Sequence, residues 1–292
     1  MFKYATNLIQ TRWQTLKNKI SKDQKYYLTS FYLKEELKMA NKYLSFISDE
    51  HLLSCVANLH KSYLKAKANV SKKKFYKNKI DTIKLTFDSK FNDLDEETLI
   101  KTEISRQIDK SINNSIGTFH EQILGGISGY EKGNQSGYDI KASDNALFAE
   151  LKNKHNTMSS GLAEAVFQKL ARFADDNKKA NCYLVQVLAK KSFNENWSGI
   201  INGKEYSHSR VFKISGDQFY KLLSGNDNAL LELYKALPLA INDYLNKQEK
   251  ESSESNSALE EISTSSKKSG RSILNEITFE NYSYYLGFDK LK

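Results

Sequence analysis

Apolar residues return every three or four positions in the first part of the chain: Ile9, Trp13, Leu16 and Ile20, then Ile100, Ile104, Ile108 and Ile112. Each set makes one stripe flanked by charge, which predicts helix up to about residue 125. The acidic stretch Asp93-Leu94-Asp95-Glu96-Glu97 suits the start of the second helix, where the helix dipole favours negative charge. Beyond it the period changes. Gly125, Gly126, Gly129, Gly133 and Gly137 mark a flexible connection. Alternating segments near 137–142 and 146–153 predict two short strands, and Leu162, Val166, Leu170 and Phe173 predict a helix over 160–176. Cys182 to Ala189 reads as a buried strand and Arg210 to Ile214 as another. This order of strand, strand, helix, strand implies an α/β fold with a mixed central sheet and a crossover helix.

The rest of the chain follows the same logic. Helix is expected over 217–247, interrupted near Gly225 and at Pro238. Residues 251–272 carry nine serines and almost no large apolar side chain, which predicts a flexible linker. Ile277, Phe279, Tyr282, Tyr284, Tyr285, Leu286 and Phe288 then predict a C-terminal segment, 273–292, that docks on the core. The expected organisation is a mainly helical region (1–114), a core (115–250), the linker and the docking segment.

Charge sharpens that division. Residues 1–90 hold 19 basic side chains against 7 acidic ones, although the whole chain is only +9. Tyr and Phe interleave with these lysines at Lys25-Tyr26-Tyr27 and at Lys72-Lys73-Lys74-Phe75-Tyr76-Lys77, a composition suited to a phosphate backbone. No run approaches the roughly 20 apolar residues of a membrane helix. The opening MFKYATNLIQTRWQTLKNKI has no apolar stretch with a cleavage site after it, so a soluble cytoplasmic protein is expected. Cys55 and Cys182 are too few for a disulfide framework or a zinc cluster.

The candidate chemistry lies in the predicted hairpin, 137–152. A two-residue turn at Asp144-Asn145 pairs Ser143 with Ala146 and, counting outward, Asp139 with Glu150. Tyr138, Ile140 and Ala142 then share an apolar face with Leu147, Ala149 and Leu151, while Asp139 and Lys141 share the other with Phe148, Glu150 and Lys152. Two carboxylates about 5 Å apart at Cβ repel unless a cation lies between them. Mg²⁺ fits, because it binds through one or two carboxylates and keeps several waters. The Leu151 carbonyl offers a further oxygen, and Lys152 lies within reach of a metal-bound water. In outline this is a site for phosphodiester hydrolysis.

Asp139 followed by Glu150-Leu151-Lys152 resembles the PD-(D/E)XK nuclease signature, with Tyr138 standing where the Pro that names the motif would be. The words FHEQILGG at 119–126, SGYDI at 136–140 and FAELKNKHNTM at 148–158 resemble type II restriction endonucleases that cut GGNCC-type sites. The resemblance covers roughly 115–245. It implies a restriction-endonuclease-like core in which Asp139 and Glu150 hold Mg²⁺ and Lys152 is the catalytic lysine. Glu121, on the preceding helix, is a further candidate ligand. The family also implies cleavage of double-stranded DNA to 5′-phosphate and 3′-hydroxyl ends, a homodimer on a palindrome, and a companion DNA methyltransferase. Two other readings stay open: a repair or recombination nuclease of the same superfamily, and a non-catalytic DNA-binding protein.

Past the signature, Lys154, His155 and Asn156 are candidate contacts to phosphate or base edges. Gln168 lies in the crossover helix, where bonding to backbone is its expected role. The polar stretch from Lys190 to His208, with Asn194, Asn196, Trp197 and Lys204, and Arg210 just beyond it, reads either as a groove-entering insertion or as a surface loop anchored by Trp197. His51, His60 and His120 show no metal spacing.

Overall fold

A computed structural model describes residues 41–68, 71–133, 137–156, 158–248 and 257–283. Its described residues divide into a sheet unit, which holds 41–52, 123–150 and 154–240, and a helical unit, which holds 53–122, 151–153, 241–248 and 257–283. The first helical stripe, Ile9 to Ile20, lies outside the described residues.

The sheet unit is built on a six-stranded sheet in the order β1-β2-β3-β4-β8-β5. Its strands are β1 (Tyr130–Lys132), β2 (Ile140–Ala142), β3 (Leu147–Lys154), β4 (Asn181–Leu188), β5 (Asn194–Asn196) and β8 (Val211–Ser215). β6 (Gly199–Ile201) and β7 (Lys204–Tyr206) pair only with each other. β1 to β3 run antiparallel, and β4 and β8 run parallel. Asn181 donates to the Ala146 carbonyl (3.0 Å) and His155 to the Leu188 carbonyl (3.2 Å). Early thus meets early and late meets late, so β3 and β4 also run the same way. The mixed sheet expected from the sequence is present.

A helix over Ser160–Asp176 makes the crossover from β3 to β4, with the bounds the periodicity predicts. Ser159 caps it by accepting from the Leu162 amide, and it buries Val166, Phe167, Leu170 and Ala174. These pack with Phe148, Cys182, Leu184, Trp197 and Val211 on one face of the sheet. On the other face Tyr183 meets Phe219 of a helix over Gly216–Ser224, so β4 is covered on both sides.

The helical unit contains helices over Lys72–Lys77, Thr82–Phe91, Ala258–Ser269 and Ile273–Tyr282, and most of Glu96–Gly125. Phe75, Ile80, Leu85, Ile100, Ile104, Ala258, Ile262 and Ile277 form its core, with Ile108 against them. Glu96 accepts from the amides of Ile273 (2.9 Å) and Leu274 (3.3 Å), a carboxylate placed at the positive end of the last helix. No helix among the described residues is long and apolar enough to cross a membrane.

Several expectations are corrected. Residues 258–269 are helical, not linker, because Ala258, Ile262 and Ser266 recur at spacing four and give the serine-rich segment one buried edge. The described part of the C-terminal segment docks in the helical unit rather than on the sheet core, through Ile277. Gly225 does end a helix, with φ of 69°, but Pro238 sits inside a helix running Ala229–Leu245. Pro238 and Tyr234, whose carbonyl loses its partner, both lie on exposed positions where water can serve that carbonyl. The glycine cluster is not a plain connector. It supplies edge strand β1, and Gly133 is required by close approach, since a Cβ there would lie 2.0 Å from the Tyr138 carbonyl oxygen.

Candidate active site

The β2–β3 hairpin carries the site. Its register pairs Ile140 with Ala149 and Lys141 with Phe148, as counted from the sequence, but the direct pairing of Asp139 with Glu150 that the count implies is displaced at Asp139. The turn differs from expectation. Strand pairing ends at Ala142 and resumes at Leu147, leaving a four-residue connection. Within it Asn145 takes φ of 61° and donates to the Ala142 carbonyl (2.9 Å), and Asp144 Oδ1 accepts from the Ala146 amide (2.9 Å).

A second difference falls on the site itself. The Asp139 amide donates to the Ala149 carbonyl (2.9 Å), and Ala149 is already the partner of Ile140. Two residues therefore face one, the pattern of a β-bulge, a device that re-aims side chains beside active sites. Its consequence is visible at Tyr138, expected on the Ile140 face. Its ring instead lies 5.4 Å from Phe148 and 5.9 Å from Phe173, on the face covered by the crossover helix. Gly133 donates to the Asp139 carbonyl (2.9 Å), tying the bulge to β1.

β3 is buried on both faces from Leu147 to Leu151, so the face read as polar is also a packed one. Phe148 stacks on Phe173 at 5.0 Å, and two residues on Glu150 is only 9% exposed. A carboxylate that deep needs a cationic partner. The structure supplies Lys169 of the crossover helix, whose Nζ lies 2.6 Å from Glu150 Oε2. Sequence reasoning missed Lys169 and considered its neighbour Gln168. Gln168 is exposed and bonds the Tyr206 hydroxyl (3.1 Å) and Glu164 (3.5 Å), not the backbone. The available signal was helical spacing: Lys169 follows Val166 by three and precedes Leu170, which sets it on the flank of the buried stripe.

Lys152 follows Glu150 by two on β3, and Leu151 lies between them. Lys154 is exposed at the strand end, and Asn156 is exposed just beyond. The His155 ring nitrogen Nδ1 lies 3.3 Å from the Leu188 carbonyl, which holds it to β4. Glu121 is half-buried on the long helix. Next to it burial pushes His120 down to about 4, so this imidazole is neutral.

The stretch 190–208 is a structured clamp rather than an open loop. Trp197 is buried with its ring 5.2 Å from Phe167. The β6–β7 turn, Asn202-Gly203, has positive φ at both positions, the conformation that favours Asn-Gly. Glu164 accepts from the Tyr206 hydroxyl, from Asn202 Nδ2 (2.7 Å) and from Lys204 Nζ (3.2 Å), which holds its carboxyl down at about 2. Asn196 donates to the His208 and Val211 carbonyls, and Arg210 to those of Asn177 and Ala180. Lys204 thus ties the β6–β7 hairpin to the crossover helix, while Asn196 and Arg210 bond backbone carbonyls and Trp197 anchors the stretch, as in the surface-loop reading.

Carboxylate and carbonyl oxygens are the donors a hard divalent cation takes, and at Glu150 the structure shows the Lys169 ammonium bound to Oε2. Among the described residues no three His, Cys, Asp or Glu side chains gather into a metal cage.

A mixed central sheet flanked by helices, with a helical region before it, is the α/β fold of restriction-endonuclease-like proteins. The family model described as Eco47II restriction endonuclease matches residues 44–246, and the chain belongs to that family. It is 40% identical over 261 residues to the type II restriction enzyme Sau96I of Staphylococcus aureus, covering 86% of this chain and all of that enzyme. It is 32% identical over 212 residues to the type II restriction enzyme Eco47II of Escherichia coli, covering 68% of this chain and 86% of that one. The protein is a type II restriction endonuclease, a site-specific deoxyribonuclease.

Proposed function

We propose that this enzyme makes Mg²⁺-dependent double-strand cuts at a short GGNCC-type palindrome, leaving 5′-phosphate and 3′-hydroxyl ends. The observation that carries the reading is the hairpin that bonds the Asp139 amide to the Ala149 carbonyl, next to Glu150, with Lys152 two residues further on. The likeness of 119–126, 136–140 and 148–158 to enzymes cutting such sites supports the choice of sequence.

Asp139, Glu150 and the Leu151 carbonyl would hold the metal. When bound, Mg²⁺ polarises the phosphate and lowers the pKa of water. Lys152 Nζ orients the attacking water and stabilises charge that builds on the phosphate oxygens. Lys154, His155 and Asn156 contact DNA beside the scissile phosphate. The enzyme works in the cytoplasm as a homodimer on the palindrome, and a cognate DNA methyltransferase protects the host sites.

The test is cleavage and duplex binding by Asp139→Asn, Glu150→Gln and Lys152→Ala. Each is expected to lose cleavage in Mg²⁺ and to keep duplex binding. Full cleavage by any one of them removes that residue from the assigned role.

A further inference from the structure

We propose that Lys169 is a positioning residue: the resident counter-cation of Glu150, which holds that carboxylate in the metal-free enzyme and gives way when the metal ion enters. The inference rests on the reading of Glu150 as a metal ligand.

Three observations lead to it. Glu150 is nearly buried, and Lys169 Nζ meets its Oε2 at 2.6 Å. A short charge-assisted bond of this kind uses the lone pair and the negative potential that a divalent ion would also need. Secondly, Lys169 projects from a helix fixed in the core: Val166 and Leu170, on either side of it, are 4% and 0% exposed. The backbone that carries the ammonium stays in place whether or not the contact is made. Thirdly, the Lys169 side chain is 33% exposed against 12% for Glu150, so its flexible stem has an outward path that opens no cavity.

Lys152 and Lys169 therefore differ in role. Lys152 rides on the same strand as Glu150 and keeps its spacing from it. Lys169 comes from the opposite layer and touches the carboxylate only through its side chain. Exchange of a monovalent ammonium for a divalent ion at one oxygen keeps that oxygen's charge compensated throughout, whereas removing both takes the Lys169 bond from a nearly buried carboxylate. In this arrangement Lys169 sets how tightly the metal binds.

The experiment is calorimetric titration of the full-length protein with Mn²⁺ in the absence of DNA, together with thermal melting in chelator. The proteins are wild type, Lys169→Met, Lys169→Gln, Lys169→Arg and Glu150→Gln. Lys169→Met is expected to bind Mn²⁺ about tenfold more tightly, the size of effect one neighbouring charge has on a carboxylate's affinity for a cation. Its metal-free form is expected to melt below wild type. Lys169→Gln keeps a hydrogen bond without the charge, serves where Lys169→Met does not fold, and is also expected to tighten binding; Lys169→Arg is expected to match wild type. A merely structural lysine would not raise metal affinity when removed. Unchanged or weaker binding in Lys169→Met and Lys169→Gln, with binding lost in Glu150→Gln, overturns the proposal alone. Wild-type binding by Glu150→Gln, or no binding by any of the proteins, overturns the ligand assignment and the proposal with it.

Discussion

Gly133→Ala probes the geometry that seats Asp139. A Cβ on residue 133 would lie 2.0 Å from the Tyr138 carbonyl oxygen and 2.8 Å from a Tyr138 ring carbon, where ordinary contact begins near 3.4 Å. Well over 1 Å must therefore open between β1 and the residue just before Asp139. Overpacking of this kind costs about 1–3 kcal/mol. Loss of the Gly133–Asp139 backbone bond, 2.9 Å long, adds about 1 kcal/mol. At roughly 2–4 °C per kcal/mol for a chain of this size, Tm should fall by about 5–15 °C. Cleavage assayed well below that Tm is expected to fall about a hundredfold, the cost a 1 Å misplacement at a reacting centre can carry. Gly161→Ala is the control: a Cβ there meets nothing within 4 Å, so stability and rate should stay near wild type. A Gly133→Ala protein with wild-type Tm and wild-type rate would refute the claim that close approach at β1 positions Asp139.

Two further outcomes test other parts of the account. Lys65, Lys73 and Lys77 line an open groove with Ser71, Lys72, Lys74 and Tyr76 and make no ion pair among the described residues, whereas Lys72 is held by Glu280 (2.8 Å) and Ser265 (2.7 Å). Replacing those three by Gln should lower the slope of log affinity for duplex against log salt by about 2.7, at roughly 0.9 per phosphate contact, read by fluorescence anisotropy in chelator; an unchanged slope would take the groove out of DNA binding. His120, neutral when folded with its pKa near 4, takes up a proton near 6.5 only on unfolding, so its contribution is complete above that pH and is lost as pH falls toward 4. Urea unfolding should show about 2 kcal/mol less stability at pH 5 than at 7.5 from this group, a loss absent in His120→Leu.

Much of the core was legible because two periods dominate it. The crossover helix buries Val166 and Leu170 at spacing four, and β4 is a continuous apolar run, so both were bounded within a residue. The pairing of the hairpin survived an error in its turn, since two- and four-residue connections centred on the same residues give the same register. The bulge at Asp139 was not legible: one extra residue leaves no mark in an alternating pattern, yet it moved Tyr138 to the other face. Lys169 escaped for a related reason. A lysine on the flank of a helical stripe reads as solvated until the opposite layer is known, and here that layer carries a buried Glu150. The serine-rich helix shows the limit of composition, because Ala258 and Ile262, with Ser266, suffice when neighbouring helices supply the rest of the core.

The central claim is tested most directly by digesting an intact bacteriophage genome with the purified protein, in Mg²⁺ and in chelator, and sequencing the fragment ends. The account predicts discrete Mg²⁺-dependent fragments whose ends share one GGNCC-type palindrome and carry 5′-phosphates. Fragments without a shared end sequence, or the same cleavage in chelator, would contradict it.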